Sequence, residues 1–306
     1  MTKEVKVEMK ENAEDEENFD ISNFNPDEML TNKVTESFNH RYDYSFPPDE
    51  DFLTNNTLWP ESTKLYGHGY ELISVASSHD GKIIASGCKA SSEKNSKLFL
   101  WSSESKNLLS KLDGHVLTIT QIEFSHDDQN ILTISRDRSV CIYQKTQDEK
   151  IPYRLVQREK DVHERIIWGC SWSHDDAIFV TGSRDKTIKV WQRTDNEDNK
   201  LFKEVLVKEF NESVTSVKII PHKFTDCYAL VVGLENGNIE FYSINLLLNK
   251  ITLIGKVHNF LVHGLSVTRI KSIIVNKEIV RIATCSEDHS VRIFEITLSS
   301  FENMIY

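Results

Sequence analysis

Residues 181–191 read TGSRDKTIKVW, and this stretch decides the fold. It places Asp185 between two cations, Arg184 and Lys186, in a run that opens with a threonine and closes with a tryptophan. A carboxylate in this setting could be a reactive group, part of a phosphate site, or a member of a structural hydrogen-bond network. The rest of the chain helps to decide, because closely similar stretches recur in it.

The recurring stretches define a repeat that covers most of the chain. The aligned segments are LTISRDRSVCIYQ (132–144), VTGSRDKTIKVWQ (180–192), ATCSEDHSVRIFE (283–295), the weaker VVGLENGNIEFYS (231–243) and the longer ASGCKASSEKNSKLFLWSS (85–103). Their closing aromatic residues, Trp101, Tyr143, Trp191, Tyr242 and Phe294, are spaced by 42, 48, 51 and 52 residues. Repeats of this length, built from several short β-rich runs, indicate a β-propeller.

Each clear repeat also begins in the same way. A small or apolar residue precedes His68, His115 and His163, and an alternating strand, a polar turn such as HDGK or HDDQ, and a second strand follow. Period-two alternation between Asp- and Gly-containing turns is typical of a meander of antiparallel strands. The sequence therefore predicts an all-β fold with about five four-stranded blades.

The spacing inside the repeats resembles that of the WD-repeat family. His115 precedes Asp137 by 22 residues, and His163 precedes Asp185 by the same 22. In that family a His, a Ser or Thr, an Asp and a Trp of one blade form a buried hydrogen-bonded tetrad. The resemblance implies tetrad positions at His115, Thr133, Asp137, Tyr143, His163, Thr181, Asp185, Trp191, Thr284, Asp288 and Phe294.

A structural role is also the physically favoured one for Asp185. A buried carboxylate is costly unless it is paired, and turn N–H groups together with an imidazole can pair it. The chain contains no dinucleotide-binding, P-loop, zinc-protease or nucleophile-elbow motif, and the remaining histidines favour structural or solvated positions over ligand positions. We therefore expect no enzyme activity, no catalytic residues, no metal and no cofactor.

Composition and charge divide the 306 residues into two parts. Residues 1–50 carry 14 acidic and 5 basic residues, whereas the remainder carries 33 and 31, so the net charge of −11 resides mostly in the N-terminal arm. The predicted organisation is an acidic disordered arm (1–45), an extended lead-in (46–63), the propeller blades (64–298) and a C-terminal tail (299–306). Five scattered cysteines, the absence of an apolar leader and short apolar runs predict a soluble protein of the cytoplasm, with the nucleus as a second compartment.

A more specific resemblance lies in segments that are not general features of WD repeats. PPDEDFLTNNTLWPESTKLYGHGYEL (47–72), SHDGKIIASGCKAS (78–91) and HERIIWGCSWSHDD (163–176) resemble the second subunit of the Elongator complex. That subunit family has two seven-bladed propellers, and the match is to the C-terminal portion of the second one. The resemblance implies a non-catalytic scaffold that binds the first and third Elongator subunits and supports modification of wobble uridines in transfer RNA.

The number of blades departs from that family. Five blades indicate a fragment, an abbreviated subunit, or a propeller that another polypeptide completes. Five blades that do not close would leave open sheet edges, which are sites of unwanted association.

The predicted partner-binding residues lie on the propeller face formed by the His-bearing entry loops and the turns that carry the tetrad aspartates. They are Arg136, Arg138, Arg165, Arg184 and Lys186. Arginines on a rigid rim suit bidentate contacts to carboxylates or phosphates, although solvated turn cations explain the pattern equally well. The alternatives are an adaptor in another complex, such as a ubiquitin ligase, and a propeller that binds RNA directly; no membrane or small-molecule substrate is expected.

Overall fold

The computed structural model describes residues 63–148, 151–194, 200–222, 224, 227–257, 261–276 and 278–299. Its described strands belong to one compact unit, Leu65–Tyr306. The predicted arm (1–45), nearly all of the lead-in (46–63) and most of the tail (299–306) lie outside the described residues.

Nineteen strands are described. The first ten are β1 (Leu72–Ser77), β2 (Ile83–Cys88), β3 (Leu98–Ser102), β4 (Leu108–Leu112), β5 (Ile119–Phe124), β6 (Asn130–Ser135), β7 (Val140–Lys145), β8 (Tyr153–Glu159), β9 (Ile167–Trp172) and β10 (Ile178–Ser183). The others are β11 (Thr187–Arg193), β12 (Phe202–Glu209), β13 (Val214–Ile219), β14 (Tyr228–Leu234), β15 (Ile239–Asn245), β16 (Lys250–Lys256), β17 (Val267–Ile274), β18 (Ile279–Ser286) and β19 (Val291–Thr297).

The strands form five antiparallel meanders, which we number as blades one to five in chain order. The sheets are β1-β2-β3-β4, β5-β6-β7-β8, β9-β10-β11-β12, β13-β14-β15-β16 and β17-β18-β19. The predicted five-bladed propeller is confirmed; blade five has three strands among the described residues. Polar turns with left-handed residues, such as Asp128 (φ 53°) and Asp176 (φ 54°), join the first two strands of blades two and three.

The hydrophobic core lies between the blades. Four clusters of buried side chains join the second and third strands of one blade to the first strand of the next. Between blades three and four, for example, Val180 and Val190 of one sheet pack with Val214 and Val217 of the other. Each blade is thus stabilised by its neighbours, as expected for a repeat protein.

Hydrogen bonds between successive blades reinforce these clusters on the face that carries the turns between first and second strands. Asp128 of blade two accepts from the backbone N–H groups of His79 and Asp80, both at 2.9 Å, and its Oδ1 lies 3.2 Å from Nδ1 of His79. Asp176 of blade three makes the same contacts to His126 and Asp127. We call these two arrangements the interblade clips.

The clips give these turn residues a structural role. The rings of His79 and His126 contact aspartates of the following blade. Both aspartates, Asp128 and Asp176, are buried. The acceptors lie in the next repeat, and the spacing within one repeat therefore could not reveal them.

Side chains also cross the central axis of the propeller. Arg269 of blade five donates from Nη2 to the carbonyl oxygen of Thr120 (2.8 Å) and from Nη1 to Oε1 of Gln121 (2.9 Å) and the carbonyl oxygen of Trp168 (3.2 Å). Lys218 of blade four donates to Glu123 of blade two at 2.5 Å. The first strands of blades two to five are thus connected directly across the axis.

Three further observations on cysteines, metal ligands and helices apply to the described residues. Their five cysteines are free, and no group of three His, Cys, Asp or Glu side chains is arranged to hold a metal ion. Among the same residues, no helix combines the length and hydropathy that a membrane crossing needs.

Candidate functional site: a cationic rim built on buried tetrads

The tetrad of blade three shows how the rim is positioned. His163, on the loop that enters β9, lies with Nδ1 2.9 Å from Oδ2 of Asp185 and with Nε2 3.0 Å from Oγ1 of Thr181. The indole N–H of Trp191 donates to the same threonine oxygen at 3.2 Å. The structure therefore brings together all four residues that the spacing assigns to this blade.

The carboxylate of Asp185 accepts hydrogen bonds from other groups besides the imidazole of His163. It accepts from the backbone N–H groups of Glu164 (2.9 Å) and Thr187 (2.9 Å) and from the hydroxyl of Thr187 (2.5 Å). Burial alone raises the pKa of Asp185, but the hydrogen bonds from His163 and Thr187 outweigh it and hold this pKa well below its usual range. Such a carboxylate stays ionised and fixes the turn, and its lone pairs are occupied.

Blades two and five repeat this arrangement. His115 lies with Nε2 2.7 Å from Oγ1 of Thr133 and Nδ1 3.4 Å from Oδ1 of Asp137. His263 lies with Nε2 2.8 Å from Oγ1 of Thr284 and Nδ1 3.2 Å from Oδ2 of Asp288. Sequence reasoning did not find His263, because it precedes its aspartate by 25 residues instead of 22.

A hydroxyl two residues after the aspartate is a further member that the sequence analysis missed. Ser139, Thr187 and Ser290 each donate to Oδ1 of their aspartate at 2.5–2.6 Å. The signal was present in the sequence, since SRDRS, SRDKT and SEDHS all end in a hydroxyl residue.

The closing aromatic residues differ in what they contribute. Tyr143 is fully buried, and its O–H donates to the carbonyl oxygen of Asp113 at 3.2 Å. Tyr143 therefore has a different partner from the indole N–H of Trp191, which donates to the tetrad threonine. Phe294 supplies only apolar packing, at the edge of the core between blades four and five. In blade one, Trp101 donates to Ser86 at 2.7 Å and His68 lies 2.8 Å from the same oxygen.

The turns that hold the tetrad aspartates direct the neighbouring cations outward. Arg138 (φ 65°) and Lys186 (φ 69°) follow the aspartates in the left-handed region, where Gly237 (φ 86°) stands in blade four. All five predicted rim cations are exposed. Four of them sit on the turns that the tetrad aspartates fix, and Arg165 sits on the loop that enters β9. A rigid backbone lowers the entropy that a partner must overcome on binding.

The rim cations are not equivalent. Arg138 pairs with Asp161, and Lys186 donates to the carbonyl oxygen of Asn211 at 2.7 Å. Within the described part of the chain, Arg136, Arg165 and Arg184 form no ion pair and donate no side-chain hydrogen bond. These three guanidinium groups are therefore the ones presented to a ligand.

The rim changes sign around the propeller. Arg136 and Arg184 each precede the tetrad aspartate of their blade and donate their backbone N–H to the loop that enters the blade. Glu235 and Glu287 make the equivalent backbone hydrogen bond in blades four and five. Arg184, Glu235 and Glu287 line a cavity of about 470 Å³ at the axis, together with Trp168. The arrangement offers charged contacts and contains no activated nucleophile, so it is suited to binding.

Comparison with known proteins agrees with this geometry. The WD40 family (WD domain, G-beta repeat) matches residues 59–102, 106–144 and 156–192, which include most of the first three blades. The chain is similar to Elongator complex protein 2 of Arabidopsis thaliana (36% identity over 265 residues; 81% of this chain and 31% of that protein). It is similar also to the proteins of the same name from Drosophila melanogaster (38%; 83% and 32%) and Mus musculus (34%; 82% and 34%). The chain spans about a third of the length of these relatives.

Proposed function

The chain belongs to the WD-repeat family of β-propeller proteins, and from that premise we propose that it is a non-catalytic scaffold subunit of the Elongator complex. The observation that carries this proposal is the agreement with Elongator complex protein 2 over four-fifths of the chain. The complex would use it in modifying wobble uridines of transfer RNA, in the cytoplasm and the nucleus. The reacting groups of that chemistry would belong to other subunits.

The described site supports a scaffold over a catalyst. The groups that could act as acid, base or nucleophile, above all His163 and Asp185, are engaged in the tetrad. The groups left accessible are guanidinium ions, which bind carboxylates and phosphates with defined geometry. We assign Arg136, Arg165 and Arg184 as the main contacts to the first and third subunits, with Arg138 and Lys186 at the edge of the surface.

The test is a triple charge reversal, Arg136→Glu, Arg165→Glu and Arg184→Glu, in the full chain co-expressed with the first and third Elongator subunits. Because each charge-assisted contact is worth more than a neutral one, we expect co-purification to fall about tenfold or more. The control reverses three exposed cations at the other end of the strands, Lys145, Arg154 and Arg193, and should leave recovery unchanged.

Equal recovery of the partner subunits with the rim variant and with wild type, at matched thermal stability, would refute the assignment. The same variants also distinguish an RNA ligand, which the unpaired arginines could bind as well. Binding of transfer RNA by the isolated chain should weaken steeply with salt if phosphates are the ligand. RNA binding without recovery of the subunits would replace the scaffold role by an RNA-binding one.

A further inference from the structure

The turn between the second and third strands of blade four differs from its counterparts at one position. Blades two, three and five carry Asp137, Asp185 and Asp288 there, whereas blade four carries Asn236, followed by Gly237. This Asn-Gly pair occurs only once in the 306 residues. Glycine lets its backbone nitrogen approach a neighbouring group closely, because it has no side chain of its own. Asparagine before glycine is therefore the setting in which an amide side chain reacts most readily with the main chain.

The amide of Asn236 occupies the place of a tetrad carboxylate. Its Oδ1 accepts from the backbone N–H of Asn238 at 3.1 Å, and each tetrad aspartate accepts at 2.9 Å from the residue two positions later. The N–H of Gly237 donates to the carbonyl oxygen of Leu234 at 3.1 Å, a bond that the other turns also form. The four turns thus share one hydrogen-bond pattern, and blade four has an amide in it.

Blade four also replaces two tetrad members beside this amide. Asn211 and Val232 stand where blade three has His163 and Thr181. An asparagine thus takes the position of the imidazole that holds the aspartates of the other blades, and Asn236 is exposed. An ionised carboxylate in this turn is a poor electrophile, whereas an exposed neutral amide is open to attack by a nitrogen.

We propose that Asn236 is a site of spontaneous deamidation in the folded protein. The backbone nitrogen of Gly237 attacks the side-chain carbonyl carbon of Asn236 and loses its proton to water, so that a new C–N bond forms. The side-chain nitrogen takes up a proton and leaves as ammonia. Water then opens the resulting succinimide ring at either of its two carbonyl groups, which yields aspartate or isoaspartate at this position.

The turn assists one part of this reaction and restrains another. The N–H of Asn238 points at Oδ1, where negative charge develops during the attack, and therefore stabilises the tetrahedral intermediate. The N–H of Gly237 must first leave the carbonyl oxygen of Leu234. Local opening of an exposed turn costs little free energy, so the reaction proceeds from the opened turn. Its rate rises with pH, because the attacking nitrogen has to lose a proton.

The modification acts on the joint between blades four and five. Gly237 lies against the loop that enters blade five: a Cβ added to it would stand 2.1 Å from the carbonyl oxygen of His263. The N–H of His263 donates to the carbonyl oxygen of Gly237 at 3.2 Å. Isoaspartate adds a methylene group to the main chain directly before Gly237, and so displaces it against the tetrad histidine of blade five. Either product also adds a negative charge beside Glu235 on the rim.

The test follows the folded full chain during incubation in mildly acidic and mildly alkaline buffer. Peptide mass spectrometry reports the conversion of amide to acid, and methyl transfer by an isoaspartyl methyltransferase reports isoaspartate. Asn107 is the internal control, because it is also exposed in a turn but precedes Leu108, whose side chain hinders the attack. We expect conversion at Asn236 to be at least about tenfold faster than at Asn107, and faster still in the alkaline buffer.

Two variants separate the chemistry from its effect on the joint. Asn236→Ser keeps a turn-forming side chain without the amide and should stay unmodified, while Asn236→Asp supplies the charge without lengthening the main chain. Hydrogen exchange in β17 should rise severalfold in the aged, isoaspartate-containing wild type and remain at the starting level in both variants. An amide at Asn236 that survives in the folded chain as well as that of Asn107, or that is lost only in urea, would overturn the proposal. Unchanged exchange in β17 of the isoaspartate form would overturn the effect on the joint.

Discussion

At the scale of single residues, Asp185 shows how flanking charge can mislead. Its two neighbours in sequence, Arg184 and Lys186, point outward, while the carboxylate points inward to an imidazole, a hydroxyl and two backbone N–H groups. The backbone turn thus separates the structural carboxylate from the two cations that are available for binding. The hydrogen bonds of the Asp185 carboxylate thus fix the turn that presents Arg184 and Lys186, although these two cations take no part in those bonds.

The first prediction concerns the pH dependence of this carboxylate. Because hydrogen bonds lower the folded-state pKa of Asp185, its stabilising effect is complete above the unfolded pKa near 4 and is lost as pH falls through the folded value. We expect Asp185→Asn to lower the free energy of unfolding by about 2 kcal/mol at neutral pH, with a smaller difference at the acidic end. Urea unfolding at several pH values measures this.

The control for that prediction is Asp161→Asn, which removes an exposed carboxylate paired with Arg138. A surface ion pair contributes roughly 0–1 kcal/mol, so this variant should stay close to wild type at every pH. If Asp185→Asn kept a constant difference from wild type down to the acidic limit, ionisation would not be the source of the stabilisation.

The tetrads also show what sequence alone can and cannot provide. Equal spacing identified the positions of His163, Thr181 and Asp185, because repeats preserve local distances. The same rule failed for His263, because the hairpin of β17 and β18 between it and Asp288 is three residues longer than the β9–β10 hairpin of blade three. It could not show that Arg138 and Lys186 have partners, because those contacts reach into separate loops.

At the scale of elements, the interblade clips couple turns that are about fifty residues apart in sequence. Asp128 and Asp176 adopt left-handed backbone conformations, which asparagine and aspartate tolerate better than most residues. Gly81 holds the corresponding place in blade one (φ 69°) and has no side chain to offer. The repeat therefore supplies clips between blades one and two and between blades two and three.

The second prediction tests a clip. The hydrogen bond that His126 donates to Asp176 raises the pKa of His126, and this contribution to stability is lost as pH rises through the folded pKa. Hydrogen bonds lower the pKa of Asp176 despite its burial, and that contribution is lost as pH falls through the folded pKa. Asp176→Asn should therefore destabilise by about 1–2 kcal/mol, most strongly between roughly pH 4 and pH 6.5. Denaturation across this range provides the measurement.

The matched control is Gly81→Asn, which places the same side chain in the equivalent turn, where a Cβ has open space. It should change stability little, because no clip is altered. A destabilisation by Asp176→Asn that does not vary with pH would indicate a packing effect in place of an ionic one.

At the scale of the whole molecule, the number of blades could be predicted and the way in which they meet could not. Repeats in a sequence specify units and their order, and TGSRDKTIKVW (181–191) was enough to find them. The contacts across the axis use Arg269, Lys218 and Glu123, which stand at positions that vary from blade to blade. No periodic pattern contains such contacts, so only the assembled propeller reveals them.

The last prediction therefore concerns Arg269, which joins blade five to blades two and three through three hydrogen bonds. Arg269→Met keeps much of the side-chain volume and leaves the carbonyl oxygens of Thr120 and Trp168 without this donor. Because hydrogen bonds to charged groups are strong and their loss exposes unsatisfied acceptors, we expect a loss of about 2–3 kcal/mol. Hydrogen exchange should rise in β5 and β9 as well as in β17. Arg281→Met, which removes an exposed arginine paired with Glu295, should cost no more than about 1 kcal/mol and affect only blade five. Equal effects of the two substitutions, or exchange confined to β17, would show that Arg269 does not connect the blades.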